Sequence, residues 1–235
     1  MKLLKAMAIA FSIYSKIPVP QFEWKEEDME YMMCFFPWIG GVIGLFFFGW
    51  AVLCEKFAVG NVCYALIGAA IPLMISGGFH VDGYMDTMDA FHSYQSREKK
   101  LEILKDSHIG AFAAIMLALY YMIDIAAISE IHTQKAVSAL AAVFFLARCF
   151  SGIAVMTLQP AKKEGLLYTF ASSAQKVRVK AALYFQAALC VVLMLLVSGW
   201  YGAAAIGAAL LSFFYFKKKS YKELGGITGD TAGFF

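Results

Sequence analysis

Long apolar runs separated by short polar segments dominate this chain. A run of about twenty apolar residues is long enough to cross a membrane as a helix. The 36-residue run at 181–216 is too long for one span, and the turn-forming sequence Ser198-Gly199-Trp200-Tyr201-Gly202 divides it. The pattern therefore predicts about six transmembrane helices, at 31–53, 58–79, 109–129 and 136–158 and two within 181–216.

The composition agrees with a membrane protein. The 235 residues are 61% hydrophobic and 16% charged, and the mean hydropathy is +0.66. A soluble domain is closer to half apolar and a quarter charged. The net charge of +3 is small, so we expect no nucleic-acid partner. We predict an all-α, polytopic membrane protein that forms one integral-membrane domain over residues 1–235, with the lipid bilayer as its surroundings.

Lysine and arginine are unevenly distributed between the polar segments. Seventeen of the twenty belong to four alternate segments, 1–30, 80–108, 159–180 and 217–235. The intervening segments contain only Lys56 and Lys135. Because cytoplasmic loops carry the excess of these residues, we expect both termini and the four basic segments on the cytoplasmic side of a bacterial or archaeal cytoplasmic (inner) membrane. Residues 1–20, basic and apolar, predict an amphipathic helix in the membrane interface.

An acidic motif, SGGFHVDGYMDTMDAFH at 76–92, opens the second of these basic segments. On a helix its three carboxylates, Asp82, Asp86 and Asp89, would share one face, with no basic residue among them. Such charges repel one another, and Mg²⁺ accepts an all-oxygen site of this kind. The motif's glycines would let a ligand approach the backbone. The alternative is a solvated helix start, whose acidic first turn the helix dipole favours.

Two further polar motifs fall on the same predicted side of the membrane. The first, KDSHIG, precedes the third span. Asp106 or Ser107 could be the N-cap of the helix that forms this span. Alternatively, Asp106, Ser107 and His108 could lie close to the acidic motif and add a carboxylate, a hydroxyl and an imidazole to its site. The C-terminal GGITGD lacks the lysine of a P-loop. We predict that it forms a backbone nest for phosphate, with Asp230 as a metal ligand.

Arg148 lies inside the fourth predicted span, where an ionisable residue is by default a functional-site hypothesis. It could contact an anionic group of a substrate. Alternatively it could pair with Asp124 of the third span, which would make it structural. The sequence leaves both interpretations open.

The segment GGFHVDGYMDTMDAF resembles the GGxHxDGxxDTxDG signature of the cobalamin synthase family, the adenosylcobinamide-GDP ribazoletransferases. SKIPVP, DSHIG and GGITGD resemble further elements of the family in the same order, so the resemblance covers nearly the whole chain. Ala90 stands where the family usually has glycine, and His108 where it often has arginine.

The resemblance implies a Mg²⁺-dependent phosphotransferase. A hydroxyl of α-ribazole, or of its 5′-phosphate, attacks the diphosphate of adenosylcobinamide-GDP; GMP leaves, and adenosylcobalamin or its 5′-phosphate forms. Such chemistry requires positioning and charge neutralisation. The predicted site comprises catalytic Asp82, Asp86, Asp89 and Asp106, substrate-binding His80, Ser107, His108, Arg148, Thr228 and Gly229, and metal-binding Asp82, Asp86, Asp89 and Asp230. Whether the chain forms a homo-oligomer stays open.

Two other classes of protein remain as alternatives. A CDP-alcohol phosphatidyltransferase-like enzyme also uses Asp-rich, Mg²⁺-binding helices, but its longer Asp-Gly-Ala-Arg pattern is absent after Asp82. A cation-coupled transporter would have its acidic site near the bilayer midplane on broken helices, whereas this motif is predicted at the end of a span. Metal-dependent release of GMP would distinguish the three.

Overall fold

The computed structural model describes residues 2–20, 23, 25–162 and 164–235. Within them the chain is helical, with two short 3₁₀ turns before α2 and one isolated β-bridge. The helices are α1 (Lys2–Tyr14), α2 (Phe36–Lys56), α3 (Asn61–Ser76), α4 (Phe79–His92), α5 (Arg97–Ile103), α6 (Ala111–Ile128), α7 (Gln134–Thr157), α8 (Leu166–Ser173), α9 (Lys176–Ser198), α10 (Trp200–Leu224) and α11 (Gly229–Phe234). The predicted all-α class is confirmed.

Four helices, α2, α6, α7 and α9, are long and apolar enough to cross a membrane. α3 and α4 together make a fifth candidate, bent by 98°. The prediction of a polytopic membrane protein is thus confirmed, whereas the count of six is not. α10 does not meet the same criterion, and its last turns have the basic sequence KKKSYKEL. The predicted division of the long apolar run is found at Gly199, between α9 and α10.

α7 lies at the centre of the fold and packs against α2, α9 and α10. A Cβ atom at Gly40 of α2 would lie 2.0 Å from the Phe144 carbonyl oxygen, and one at Gly44 would lie 2.1 Å from that of Ala141. Only glycine permits this approach, and small residues four positions apart are a common way for membrane helices to pack. The α2–α7 contact is therefore made backbone to backbone.

The acidic motif leaves α3 at a sharp turn. Gly77 and Gly78 both have left-handed backbone conformations, with φ of +67° and +87°. Glycine adopts these conformations without the steric cost that a Cβ atom brings, and the chain turns by 98° into α4. α4, which carries the three carboxylates, is therefore not a straight continuation of α3 across the membrane.

The C-terminal segment is fixed against α4. Ile227 donates a backbone hydrogen bond to Gln159 (3.0 Å) and accepts one from Ala161 (2.8 Å). α11 then approaches α4 so closely that a Cβ atom at Gly83 would lie 2.9 Å from both the Cα and the carbonyl oxygen of Asp230. The glycine of the acidic motif thus admits another part of the chain, where the sequence suggested a ligand.

Candidate active site

α4, α11 and two loops enclose a cavity of about 440 Å³. We call it the diphosphate cavity, after the diphosphate substrate that the resemblance in the sequence leads us to expect. Asp82 and Asp230, from motifs almost 150 residues apart, both line it. Lys105 and Lys162 line the same cavity. The predicted convergence of the acidic motif with the C-terminal GGITGD is therefore present in the structure.

The carboxylates of this region interact unfavourably. Burial, with the negative charges of Asp82, Asp230 and Asp89, raises the pKa of Asp86 to about 6. Burial also raises the pKa of Asp230, against the lowering effects of hydrogen bonds and of Lys162. Like charges brought close together disfavour ionisation. Asp86 thus belongs to the same electrostatic group as the two cavity carboxylates.

Asp89 occupies a different environment. Its carboxylate accepts hydrogen bonds from the backbone nitrogens of Gly110 (2.7 Å) and Ala113 (2.8 Å), so it caps α6 from a neighbouring helix. A Cβ atom at Gly110 would lie 2.6 to 2.7 Å from the carboxylate atoms. Unpaired N–H groups and the dipole at a helix start both favour an anion there. The placement gives Asp89 a structural function beside its predicted catalytic and metal-binding roles.

Asp106, Ser107 and His108 lie in an exposed loop. The Asp106 carboxylate accepts a hydrogen bond from the backbone nitrogen of His108 (3.0 Å) and contacts the Nδ1 of that side chain (2.6 Å). The side-chain contact is the main cause that lowers the pKa of Asp106. α6 begins with Gly110 as its N-cap residue, so the alternative that Asp106 or Ser107 caps it is wrong. The structure does not bring these three residues into the diphosphate cavity, and their predicted roles stay predictions.

Thr228 and Gly229 do line the cavity. Thr228 is the N-cap of α11, and it forms two reciprocal hydrogen bonds with Thr231. The Thr228 hydroxyl accepts from the backbone nitrogen of Thr231 (3.2 Å), and the Thr231 hydroxyl accepts from the backbone nitrogen of Thr228 (2.8 Å). The Thr228 hydroxyl also lies 3.3 Å from the Asp230 carboxylate and donates to it. GGITGD is thus a capped helix start that orients Asp230.

His80 points to an aromatic pocket and is not among the residues that line the diphosphate cavity. Its ring centroid lies 6.0, 5.8 and 5.7 Å from those of Tyr14, Phe36 and Phe79. Both ring nitrogens are buried without a hydrogen-bond partner. Burial, reinforced by the charge of Arg148, lowers the pKa of His80 to about 3, so the imidazole is neutral at neutral pH.

Arg148 is 8% exposed and donates to the carbonyl of Phe144 (3.0 Å). In the described part of the chain it forms no ion pair with Asp124, so the predicted alternative of that pairing is wrong. α6, which carries Asp124, packs against α3 and α4, whereas α7 packs against other helices. Arg148 instead influences His80, and its predicted contact with substrate stays a prediction.

Sequence reasoning missed the two lysines of the cavity. Lys105 forms an ion pair with Glu164, and the Lys162 ammonium donates to the carbonyl of Leu101 (2.9 Å). These contacts connect the loop before α8 to the loop before α6 and to α5. The excess of lysine in both segments indicated topology and not a site, and in KDSHIG only Asp106, Ser107 and His108 were taken as candidates, not Lys105.

Within residues 2–20, 23, 25–162 and 164–235, no group of three or more His, Cys, Asp or Glu side chains is placed to hold a metal ion by itself. Mg²⁺ is commonly held by only one or two carboxylates together with substrate phosphates and water. Asp82 and Asp230 line one cavity, and their side chains offer only oxygen ligands, so they fit that mode of binding.

Fold and site together define a polytopic, all-α membrane protein in which two helices and the adjoining loops form a cavity lined by carboxylates and lysines. The chain belongs to the cobalamin-5-phosphate synthase family, whose model matches residues 6–235. The resemblance noted in the sequence is thereby confirmed.

Relatives extend over almost the full chain. An adenosylcobinamide-GDP ribazoletransferase of Lachnoclostridium phytofermentans is 44% identical over 235 residues, which are 100% of this chain and 90% of the relative. Proteins of the same name from Clostridium botulinum (strain Eklund 17B) and Geotalea daltonii are 33% and 30% identical, over 99% and 98% of this chain and 92% of each relative. No solved structure matches the chain.

Proposed function

We propose that this protein is an adenosylcobinamide-GDP ribazoletransferase. It joins adenosylcobinamide-GDP to α-ribazole or its 5′-phosphate and releases GMP. The observation that carries the proposal is the diphosphate cavity, in which the carboxylates Asp82 and Asp230 share one lining with the ammonium groups of Lys105 and Lys162. Such a set suits a phosphoryl group whose charge must be neutralised in the transition state. The names of the relatives support the same activity.

In the proposed reaction the acceptor hydroxyl oxygen bonds to the phosphorus that is attached to cobinamide. The bond from this phosphorus to the bridging oxygen breaks, and its electron pair leaves with GMP. The hydroxyl proton passes to a carboxylate and then to water. We propose Asp86 as this carboxylate, because it lies one helical turn from Asp82 on the same face of α4, and burial with the neighbouring carboxylates raises its pKa to about 6. Lys105 and Lys162 bind the diphosphate oxygens as cations.

We also propose Mg²⁺ as the cofactor, with Asp82 and Asp230 as its ligands. When bound, it neutralises charge on the diphosphate oxygens. The carboxylates of Asp86 and Asp89 add negative charge nearby. The contacts to substrate predicted for His80 and Arg148 would come from the neighbouring aromatic pocket, and those for Ser107 and His108 from the exposed loop.

We place the protein in the cytoplasmic membrane with this cavity and both termini on the cytoplasmic side. The distribution of lysine and arginine supports this orientation. The lysines that line the cavity belong to the same set of basic segments. The substrates would then enter from the cytoplasm.

The test is an assay of GMP release and cobamide product by the purified protein in detergent, with adenosylcobinamide-GDP and either acceptor. We expect turnover with Mg²⁺ and none in EDTA. Asp82→Asn and Asp230→Asn should each lower kcat by about 100-fold or more. Asp28→Asn is the matched control, because Asp28 lies outside the cavity and pairs with Lys5.

Wild-type protein that releases no GMP in the presence of Mg²⁺ would refute the proposal. It would favour the phosphatidyltransferase-like enzyme or the transporter instead. Activity in EDTA that equals activity in Mg²⁺ would reject the metal while leaving the transfer reaction intact. An Asp106→Asn variant shows in the same assay whether the exposed loop contributes.

A further inference from the structure

A second cavity, of about 470 Å³, lies on the neighbouring side of α4, and we call it the α1 cavity. It is bounded by the end of α1, by the Gly77–Gly78 turn and by α4. Its cationic residue is Lys16. Asp82 and Phe79 line both this cavity and the diphosphate cavity.

Helix geometry explains why two cavities share these residues. Gly83 lines only the diphosphate cavity, whereas Val81 and Met85 line only the α1 cavity. Positions three or four apart lie on one face of a helix, so the two cavities border adjacent faces of α4, with Asp82 between them. Transfer of a phosphoryl group needs the attacking and leaving oxygens roughly in line, on opposite sides of the phosphorus. Two cavities that meet at one carboxylate suit that requirement.

Lys16 is fixed at the α1 cavity through its backbone and its aliphatic stem. Its backbone nitrogen donates to the carbonyl of Ile75 (2.8 Å). Its stem lies across Gly77, where a Cβ atom would be 2.3 Å from Cε and 2.7 Å from Cγ. Glycine at 77 therefore serves the turn and also leaves room for this lysine.

The Lys16 ammonium forms no ion pair within the part of the chain that the structure describes. The Ser15 hydroxyl beside it donates to Phe11 (2.7 Å) and accepts from Ile17 (3.3 Å), so it already has partners. Lys16 is thus the charged group that the α1 cavity offers to an anion. The diphosphate cavity has its own lysines, so this cation can serve a different phosphate.

We propose that the α1 cavity is the subsite for the acceptor nucleoside and that Lys16 binds its 5′-phosphate, the phosphate that is not transferred. The inference rests on the proposed function, which places adenosylcobinamide-GDP in the diphosphate cavity. The reacting hydroxyl of the acceptor then faces Asp82, at the border of the two cavities. Lys16 is a specificity residue: it distinguishes α-ribazole 5′-phosphate from α-ribazole.

The experiment compares kcat/KM for these two acceptors at saturating adenosylcobinamide-GDP. Wild-type protein should prefer the phosphorylated acceptor. In Lys16→Met, which keeps the stem but removes the charge, that preference should fall roughly 10- to 100-fold, as expected for loss of a charged hydrogen bond. The KM for adenosylcobinamide-GDP should stay constant. Lys16→Arg should keep most of the preference, and Lys2→Met, on α1 but outside the cavity, should keep all of it.

Equal losses for both acceptors in Lys16→Met would overturn the proposal, because they would indicate a structural role. A wild-type protein without preference, or an increased KM for adenosylcobinamide-GDP in the variant, would also overturn it. Calorimetric binding of α-ribazole 5′-phosphate without the second substrate gives a readout independent of turnover. Weaker binding to Lys16→Met than to wild type supports the subsite even if transfer fails, and equal binding refutes it. Absence of GMP release from wild type with either acceptor would instead reject the proposed function.

Discussion

Replacing Asp86 by asparagine should stabilise the protein in the absence of divalent metal while it abolishes transfer. The carboxyl is half-buried among other carboxylates, which together with burial raise its pKa from about 3.8 to about 6. A raised pKa means that the folded state favours the protonated form. The stabilisation of the folded state by protonated Asp86 is fully present below pH 4, decreases as the pH rises through 6, and is absent at pH 7.5. At that pH the ionised Asp86 is a cost to folding that asparagine does not carry.

The size of the gain follows from the pKa shift. A shift of about two units corresponds to ~3 kcal/mol at about 1.36 kcal/mol per unit. Asp86 is partly exposed, so solvent screening reduces the effect, and we expect about 1 kcal/mol in the free energy of unfolding. For a chain of this size that is an increase of roughly 2 to 4 °C in Tm. Active-site residues often lower stability although turnover requires them, and we expect Asp86 to show both effects.

The assay is thermal unfolding in detergent, with EDTA, at pH values from 4.5 to 8. The Tm of Asp86→Asn should exceed that of wild type at pH 7.5 and approach it towards pH 4.5. Added Mg²⁺ should raise the Tm of wild type more than that of the variant. Asp106→Asn is the control, because hydrogen bonds with His108 lower the pKa of that carboxyl, so its replacement should not stabilise. If Asp86→Asn melts at or below wild type at pH 7.5 in EDTA, the electrostatic reasoning is wrong.

Two further predictions concern the contacts that support the site. Gly83→Ala should lower Tm and reduce transfer at least about 10-fold, because the added Cβ atom would displace the backbone of Asp230. The control is Gly207→Ala, where nothing lies within 4 Å of the added atom, so Tm and transfer should stay unchanged or Tm should rise slightly. Equal behaviour of the two variants would contradict this prediction. Asp89→Ala should cost about 1–3 kcal/mol in unfolding free energy, because two N–H groups at the start of α6 lose their acceptor, and Asp89→Asn should cost less. An unchanged Tm for Asp89→Ala in thermal unfolding would refute the capping role.

Helix periodicity predicted the acidic helix but could not separate its three carboxylates. Asp82, Asp86 and Asp89 have equivalent spacings, and the sequence assigns them to one face. Their different environments come from the tertiary neighbours: the start of α6 lies against Asp89, and α11 lies against the first turns of α4. Periodicity defines a face of a helix but not which element packs against it.

Local pattern also failed where the site uses loops and long-range packing. Lys105 belongs to KDSHIG, and Lys162 comes from a polar segment without a motif. They line one cavity because Lys105 pairs with Glu164 and Lys162 donates to the carbonyl of Leu101, and both contacts join segments far apart in the sequence. The bend after α3 could not be predicted for a related reason. Gly77 begins the 98° turn into α4, and only the backbone conformation reveals its angle.

The charges that line the diphosphate cavity give an independent reason to expect a divalent cation. Asp82, Asp230 and Glu164 are acidic and Lys105 and Lys162 are basic, so the lining carries a slight excess of negative charge at neutral pH. A diphosphate would bring further negative charge into a partly buried site, where water screens it poorly. The Lys105 ammonium is already paired with Glu164, which leaves Lys162 as the cation without a carboxylate contact. Two lysines, one of them paired, do not balance these carboxylates and a diphosphate, so we expect the site to take up an added cation together with its proposed substrate.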